Sequence, residues 1–297
     1  MDNPSSHDPS PDEPAPEDPP HRDPDLLADF TKRSMELVAG EPSQRTTMVV
    51  WTSGAGPAVV VMPEMPGISP DVIRLARWIS DAGFTVYLPS LFGTDGAVPS
   101  AEYGRSIIER ACVSREFRAF AGGGTSPIVA RLRALARVAH DECGGAGVGA
   151  VGLCFTGNFA LTMMLEPSVI AAVINHPSLP LDDPAGLELS SDDGAALRER
   201  IDRDDLHVLG YRFDTDRWCT AERFAAYSAL LGDRFDGRVL PGEVANPNPP
   251  SFFSDVVGTP HSVVTAHLVD TAGHPTIVAR DEILGYLTTS LLAPPPS

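Results

Sequence analysis

The stretch of sequence that decides the fold lies near the middle of the 297-residue chain. It reads Gly149-Ala150-Val151-Gly152-Leu153-Cys154-Phe155-Thr156-Gly157. A run of small and apolar residues, typical of a buried strand, passes directly into the pattern G-x-C-x-x-G and then into an apolar helix. A sharp strand-to-helix turn that presents a nucleophile needs small neighbours, because its backbone is strained and tightly packed. The spacing therefore predicts Cys154 as a nucleophile, with a buried, apolar-like cysteine as the alternative.

On both sides of this stretch, short apolar runs alternate with amphipathic stretches. Residues 46–51 and 58–62 are apolar, β-branched runs around a turn-rich spacer, which predicts a hairpin. The same reading predicts later strands at 85–88, 147–153, 169–175, 206–210 and 262–269, and helices at 69–82, 105–121, 127–143, 220–231 and 275–291. The alternation predicts one α/β domain over residues 26–297, a mainly parallel sheet with helices on both faces.

The first 25 residues have a different composition. They contain eight prolines, eight Asp or Glu and one Arg, and beyond the initiator Met1 no apolar residue larger than proline. Such a segment buries too little surface to offset its ordering entropy. It is predicted to be a disordered acidic tail, with a partner-docking segment as the alternative.

Composition narrows the function classes. The chain has 22 Lys and Arg against 40 Asp and Glu, and a formal net charge of −18. Nucleic-acid binding needs clustered basic residues, so this balance argues against it. No apolar run approaches the roughly 20 residues of a membrane span, and the N-terminus does not resemble a signal peptide. The four cysteines form no C-x-x-C pair, which predicts neither a disulfide framework nor a metal site and fits a cytoplasmic protein.

Candidate partners for Cys154 follow later predicted strands. In α/β-hydrolases the order along the chain is nucleophile, acid, histidine, with the acid and the histidine on loops after strands. The strand at 206–210 is followed by Asp214 and Asp216, and the strand at 262–269 by His274. The order predicts Cys154, Asp216 and His274 as a catalytic triad, with Asp214 as the alternative acid. His176 follows the strand at 169–175 and is expected to line the pocket.

An early loop supplies a candidate oxyanion hole. It reads Met62-Pro63-Glu64-Met65-Pro66-Gly67 at the end of the strand at 58–62. Hydrolases of this fold place one oxyanion donor in such a loop and another just after the nucleophile, which predicts the backbone N–H groups of Met65 and Phe155. Glu64 would face the nucleophile, with a solvated turn glutamate as the alternative. Trp218 and Arg212, near the predicted acid, are expected to bind substrate.

Taken together and in order, the motifs resemble the dienelactone hydrolase family of α/β-hydrolases from about residue 46 to residue 291. They are P-E-x-x-G from Pro63, G-x-C-x-x-G around Cys154, G-x-R-F-x-x-D from Gly210 and A-G-H-P around His274. The resemblance implies a cysteine hydrolase that needs no cofactor. It also implies that Glu64 contacts the resting thiol and takes its proton when substrate arrives.

The chain departs from the family pattern at several positions. Members that act on dienelactone carry two arginines that hold the substrate carboxylate. Here those places are approximately Thr94 and Val278, which argues against dienelactone itself. The elbow also has Thr156 where the family often has glycine.

The sequence thus predicts a hydrolase that cleaves a small-molecule ester or lactone through an acyl-enzyme intermediate. A thioester or other carboxylic-ester hydrolase is the alternative, as is a non-catalytic scaffold that binds or senses redox state through Cys154. The acidic insert at 178–205 is either a cap over the pocket or a surface excursion. The proline-rich stretch at 241–260 is either a loop beside the entrance or an oligomer contact, and the sequence leaves the oligomeric state open.

Overall fold

A computed structural model of the chain describes residues 21–39, 45–114, 116–117 and 124–292. Residues 1–20 of the predicted tail lie outside this range. Residues 21–25, the last five of the predicted tail, are described, and they contact the rest of the protein. Arg22 forms a β-bridge with Ala97, and a short 3₁₀ helix runs over Pro24–Leu27.

Within the described residues, eight strands form one sheet in the order β1-β2-β4-β3-β5-β6-β7-β8. The pairs β1/β2 and β2/β4 are antiparallel, and all other neighbours are parallel. The strands are β1 (Thr31–Val38), β2 (Arg45–Gly54), β3 (Ala58–Met62), β4 (Thr85–Pro89), β5 (Val148–Leu153), β6 (Val169–Asn175), β7 (Val208–Phe213) and β8 (Phe235–Leu240). The predicted α/β fold with a mainly parallel sheet is confirmed.

Helices cover both faces of this sheet, as predicted. They are α1 (Pro70–Asp81), α2 (Ala101–Val113), α3 (Ile128–Cys143), α4 (Gly157–Met163), α5 (Ser191–Arg203), α6 (Ala221–Leu231) and α7 (Pro275–Leu291). Side chains of α1 and α7 pack into one hydrophobic cluster, and those of α2 to α6 pack into another. Strand β3 feeds both clusters, because alternate residues of a strand point to opposite faces: Val59 and Val61 join the first, and Val60 joins the second.

The structure differs from the sequence prediction in how β2 and β3 are paired. They do not form a hairpin with each other. Strand β4 lies between them, antiparallel to β2 and parallel to β3. The chain from β3 to β4 passes through α1, so the turn-rich spacer joins two strands that are not neighbours.

The sequence analysis did not predict the two edge strands, β1 and β8. One strand that it did predict, at residues 262–269, is absent. Most residues of β1 and β8 are exposed, so their apolar content is too low to mark them as strands. Residues 262–269 are mostly apolar and mostly buried, yet they form no strand, and residues 263–267 form consecutive turns. Local bonds take the place of a ladder there, including those from the amides of His267 and Leu268 to the carbonyls of Ser262 and Thr265. The last strand of the sheet is therefore β8, well before residue 262.

Arg223 of α6 is the principal tie between the helices and the loops at the carboxyl ends of the strands. Its side chain is buried, and its guanidinium donates to five backbone carbonyls, those of Pro177, Pro180, Asp183, Gly186 and Trp218, at 2.6–3.2 Å. Buried carbonyl groups need a donor, because leaving one without a partner costs roughly 1–3 kcal/mol. One cation thus fixes the start of the insert after β6 and the loop after β7.

Replacing this guanidinium is expected to destabilise the fold strongly. Arg223→Met keeps the apolar stem but leaves five buried carbonyls without their donor, so the free energy of unfolding should fall by at least about 3 kcal/mol. Equilibrium urea unfolding measures this change. Arg203→Met removes an exposed arginine paired with Asp204 and should alter stability by no more than about 0.5 kcal/mol. Equal losses in the two variants would contradict the role given to Arg223.

Candidate active site

Cys154 occupies the strained turn that the sequence predicts. It is the first residue after β5, and its φ of +55° lies in the left-handed region that non-glycine residues rarely adopt. The turn closes tightly around it. A Cβ at Gly152 would lie 2.1 Å from the carbonyl oxygen of Thr156, and one at Gly157 would lie 2.8 Å from Cα of Pro177. Only glycine fits at either position, so the elbow geometry is built into the sequence.

Thr156 ties this elbow to the neighbouring strand. Its hydroxyl oxygen accepts a hydrogen bond from the amide of Leu153 at 2.8 Å. The same oxygen lies 3.0 Å from the carbonyl oxygen of Met62, to which the hydroxyl can donate. Met62 ends β3 and leads into the loop that carries Glu64 and Met65. The threonine therefore gives the turn a polar anchor that a glycine at this position could not provide.

Asp216 and His261 form a hydrogen-bonded pair beside the elbow. Oδ2 of Asp216 lies 2.7 Å from Nδ1 of His261. Its Oδ1 accepts bonds from the amides of Trp218 and Cys219 at 2.9 and 3.1 Å. Both side chains are buried, so the carboxylate holds the imidazole in one orientation. The alternative acid Asp214 lies elsewhere, with Oδ1 accepting from the amide of Gly242 at 2.7 Å.

Ser178 connects this pair to the cysteine. Its Oγ lies 3.3 Å from Sγ of Cys154 and 3.3 Å from Nε2 of His261. The side chain is buried, and its amide donates to the carbonyl of Cys154 at 3.2 Å. The Cys154 thiol, the hydroxyl and the imidazole therefore meet at one point, with Asp216 behind the imidazole.

The charges of this pair are mutually stabilised. Burial by itself lowers the pKa of His261, but the charge of Asp216 and the neighbouring Cys154 raise it well above the ordinary value. Burial likewise raises the pKa of Asp216, yet the charge and hydrogen bond of His261 bring it below the usual range. The folded protein therefore favours an imidazolium against a carboxylate.

His274, the histidine expected from the sequence, is not at this point. It precedes α7, where its Nδ1 lies 2.9 Å from Oγ1 of Thr276 and caps the helix. The histidine that the fold brings to Asp216 and to the Ser178 hydroxyl beside Cys154 is His261. The cause is the mistaken final strand: residues 262–269 form no strand, so the loop after the true last strand, β8, carries His261 and not His274.

Glu64 and His176 form a second buried pair behind the triad. Oε2 of Glu64 lies 3.2 Å from Nε2 of His176 and accepts a short hydrogen bond from the hydroxyl of Ser262. Among the described residues, these are the hydrogen-bond partners of that oxygen, and Cys154 is not one of them. The resemblance implied a contact between Glu64 and the resting thiol, whereas the structure directs this oxygen to the histidine and the serine.

Burial controls the protonation of this second pair. It raises the pKa of Glu64 and lowers that of His176 well below the ordinary value. The His176 ring packs edge-on against His261, with centroids 4.5 Å apart. A neutral His176 is required there, because a second imidazolium would repel the first. His176 was expected to line the pocket, but it is fully buried and supports His261 from behind.

An apolar cavity of about 150 Å³ opens in front of the thiol. Its walls include the predicted residues Met65, Phe155 and Trp218, together with Ser178 and Leu181 from the start of the insert. The remaining lining residues are Ile108, Cys154, Phe252, Phe253, Val256, Val257 and His261. The insert at 178–205 thus contributes to the pocket at its beginning, while its later part forms α5 and packs in the core.

Arg212 does not reach this cavity. Its Nε donates to the carbonyl of Cys219 at 2.8 Å and its Nη2 to that of Asp214 at 3.2 Å. The guanidinium thus shapes the loop that carries Asp216, and the sequence expectation that it binds substrate disagrees with its position. In the part of the chain that the structure describes, no cluster of three or more His, Cys, Asp or Glu side chains could hold a metal ion.

One family model matches part of the chain. The model of the dienelactone hydrolase family matches residues 46–192, which include the loop with Glu64, the elbow at Cys154 and Ser178. The chain belongs to the dienelactone hydrolase family over these residues. This family is a family of hydrolases, as the sequence motifs indicated.

Solved structures similar to this dienelactone hydrolase family member share its fold. A dienelactone hydrolase-like promiscuous phosphotriesterase from metagenomic libraries is 19% identical, with a TM-score of 0.56 over 89% of this chain and 99% of that one. Dienelactone hydrolase from Anabaena variabilis is 14% identical, with a TM-score of 0.54 and the same coverages. An esterase from Pyrococcus furiosus is 10% identical, with a TM-score of 0.56 over 93% of this chain and 98% of that one. A search of curated protein sequences found no significant match.

The two positions at which members acting on dienelactone carry arginines lie away from Cys154. Thr94 lies outside the cavity in front of Cys154, on a separate surface pocket beside α2. Val278 lies half-exposed on α7. If the arginine position is counted from His261, the residue four places on is Thr265, which is not an arginine either. Whichever histidine the position is counted from, the chain therefore lacks the arginine that members acting on dienelactone carry.

Sequence reasoning missed His261 and Ser178. A signal for His261 was present, since it follows the proline-rich stretch after a short run, 235–240, that is a strand in the structure. Ser178 had no signal of its own, because only the fold brings it to the thiol. As for membranes, none of the described helices is both long and apolar enough to span one.

His267 makes stability depend on pH. Its Nδ1 accepts from the amides of His261 and Ser262 at 3.4 and 3.2 Å, so the folded protein needs that nitrogen unprotonated. Burial, then the charge of His261, lowers the pKa of His267 from 6.5 to about 4. The unfolded chain takes up its proton first as the pH falls. The stability that neutral His267 contributes is therefore fully present above pH 6.5, and it is lost as the pH falls from 6.5 to about 4.

His267→Asn should remove that dependence, because the amide oxygen replaces the acceptor and does not titrate. Between pH 7.5 and 4.5 the parent should lose about 2 kcal/mol more unfolding free energy than the variant. Urea unfolding across this range measures the difference, in which contributions common to both proteins cancel. Parallel pH curves for the two proteins would show that His267 is not held neutral.

Proposed function

We propose that this protein hydrolyses small carboxylic esters or lactones through Cys154, His261 and Asp216. The observation that supports this most directly is the meeting of the thiol with a carboxylate-oriented imidazole on a strained elbow, at the base of an apolar cavity. A nucleophile, a base within reach of it and a group that orients the base form the constellation for nucleophilic acyl transfer. The family assignment and the esterase folds that resemble the chain are consistent with this chemistry.

The first half of the reaction forms an acyl-enzyme. The Cys154 thiolate attacks the carbonyl carbon, and the backbone N–H groups of Met65 and Phe155, which both line the cavity, hold the oxyanion. As the intermediate collapses, the carbon–oxygen bond to the alcohol breaks. The imidazolium of His261 gives its proton to that alkoxide and becomes neutral.

Water completes the cycle. Neutral His261 takes a proton from a water molecule, the resulting hydroxide attacks the thioester, and the acid leaves as the thiolate and the imidazolium are restored. Asp216 keeps Nδ1 of the imidazole protonated throughout, so that Nε2 performs both transfers. A substrate thioester would pass through the same steps with a thiolate as leaving group. Free thiols at all four cysteines suit a reducing compartment, and we place the protein in the cytoplasm.

The assignment of roles is tested by intact-protein mass spectrometry during turnover of p-nitrophenyl acetate. An acetyl adduct should form on the parent and be absent from Cys154→Ala. His261→Ala should lower kcat/KM at least about 100-fold, the usual range for loss of a general base. His274→Ala should retain turnover, because it removes only a helix cap. Loss of turnover in His274→Ala with activity kept in His261→Ala would contradict the assignment, and an unmodified parent that releases no product would contradict the function.

A further inference from the structure

The lining and the volume of the cavity in front of Cys154 limit which substrates can bind there. We propose that the site takes uncharged esters or lactones whose acyl group is apolar and has about six carbons. This inference rests on the proposed function and specifies its substrate class. It rejects carboxylated substrates of the dienelactone kind.

The lining gives a charged substrate group no partner. Of the twelve lining residues, eight have aliphatic, thioether or phenyl side chains. Three of the others, Cys154, Ser178 and His261, are the reacting group and its hydrogen-bonded neighbours. The indole N–H of Trp218 is already bound to the carbonyl of Val257 at 3.0 Å. A carboxylate buried here would lose its hydration without gaining an unpaired cation, because the imidazolium of His261 already binds Asp216.

Two arginines, at the end of β7 and on the loop after it, are bound to other groups. Arg217 donates to the carbonyl of Val257 at 2.7 Å and stacks over Trp218, with its guanidinium carbon 5.5 Å from the ring centroid. Arg212 binds two carbonyls of the acid loop. Neither lines the cavity. The carboxylate of Asp216, 2.7 Å from Nδ1 of His261, neutralises the imidazolium, so the pair offers an anionic substrate no net positive charge.

Volume and rigidity limit the size of the acyl group. An apolar cavity of 150 Å³ holds a benzene-sized group, which corresponds to about six carbons. One wall cannot easily retreat, because Phe252 is pressed against α2. A Cβ at Gly104 would lie 1.9 Å from Cδ2 of Phe252, and the Phe252 ring in turn packs edge-on against Phe253 at 5.1 Å. Longer chains would have to displace this wall.

Matched p-nitrophenyl esters test the inference. The hexanoate should have the highest kcat/KM in a series that also contains the acetate and the dodecanoate. The adipate monoester, a hexanoate with a terminal carboxylate, should be cleaved at least about 100-fold less efficiently than the hexanoate. Ile108→Arg places a cation at the rim of the cavity and should raise the adipate-to-hexanoate ratio at least about tenfold. Val239→Arg adds the same charge on the exposed edge strand β8 and should leave the ratio unchanged.

The outcomes separate this inference from the proposed function. Adipate monoester cleavage within tenfold of hexanoate cleavage would overturn the substrate class while upholding the hydrolase. An equal rise of the ratio in Val239→Arg would show an effect of overall charge rather than of the cavity, and would also count against the inference. No cleavage of any ester and no adduct on Cys154 would contradict the hydrolase itself.

The contacts of Ser178 carry a second, independent inference. We infer that Ser178 is a positioning residue whose hydroxyl holds the Cys154 thiolate and the His261 imidazolium together before substrate binds. Its Oγ is equidistant from Sγ and Nε2, at 3.3 Å from each. With His261 protonated on both nitrogens, Nε2–H donates to Oγ and the serine O–H donates to the sulfur. The same Oγ also lies 3.1 Å from the carbonyl oxygen of His176, so the serine proton is shared between that carbonyl and the sulfur.

The fold holds the serine in place. Arg223 donates to the carbonyls of Pro177 and Pro180, which flank Ser178 on both sides. The serine amide is bound to the carbonyl of Cys154. The hydroxyl is therefore delivered to the thiol by a braced segment, and its removal should leave the surrounding backbone in place.

The pH dependence of Cys154 alkylation by iodoacetamide tests this role, with the site of modification located by mass spectrometry. Titratable groups that face the thiol and its imidazole from the neighbouring loops are His261, Asp216, Cys219, His176, Glu64 and His267. Ser178→Ala removes a charge-assisted donor, so the midpoint of the rate profile should move up by about one pH unit. Ser178→Thr keeps the hydroxyl and should restore the midpoint.

Ser262→Ala is the matched control, because Ser262 is also a buried hydroxyl of this network but donates to Glu64. Its profile should coincide with that of the parent. A Ser178→Ala profile that coincides with the parent, or an equal shift in Ser262→Ala, would overturn the positioning role.

Discussion

The candidate active site depends on one backbone constraint, the left-handed conformation of Cys154 between β5 and α4. That conformation costs about 1–3 kcal/mol for a residue with a side chain, and the surroundings must impose it. Glycines 152 and 157 let the turn close, and the hydroxyl of Thr156 ties it to the end of β3. The loop after β3, which carries Glu64 and Met65, and the Cys154 thiol are thereby built on one rigid corner, so that their relative position is fixed by the fold.

Around this corner the protein separates two environments. Behind His261 lies a buried polar group that comprises Glu64, His176, Ser262 and His267, in which hydrogen bonds and uncharged imidazoles make burial tolerable. In front of the thiol lies an almost wholly apolar cavity. The Cys154 thiol and the His261 imidazole lie at the boundary between the two, so in the proposed mechanism the buried titratable groups are kept apart from the apolar surface.

The central strands and the elbow could be predicted well from the sequence, whereas the edge strands and the histidine could not. The elbow, the Asp216 loop and the central strands could be predicted, because buried parallel strands and a glycine-flanked nucleophile leave strong local signals. Strand β8 is an exposed edge strand and leaves almost none, while the apolar residues 262–269 imitate a strand although their amides are satisfied locally. One misplaced strand was enough to move the expected histidine from His261 to His274. Ser178 could not be found at all, since its role comes from distances across 24 residues of chain.

Arg223 has a consequence for how this protein moves. The turn with Ser178 and the turn with Trp218 form different walls of the cavity, yet both give a carbonyl near their lining residue to the same guanidinium. Neither wall can swing outward without releasing the cation that also anchors the other. The two turns therefore form one cooperative unit of local unfolding, and the width of the cavity is governed by a side chain that touches neither the substrate nor the reacting atoms.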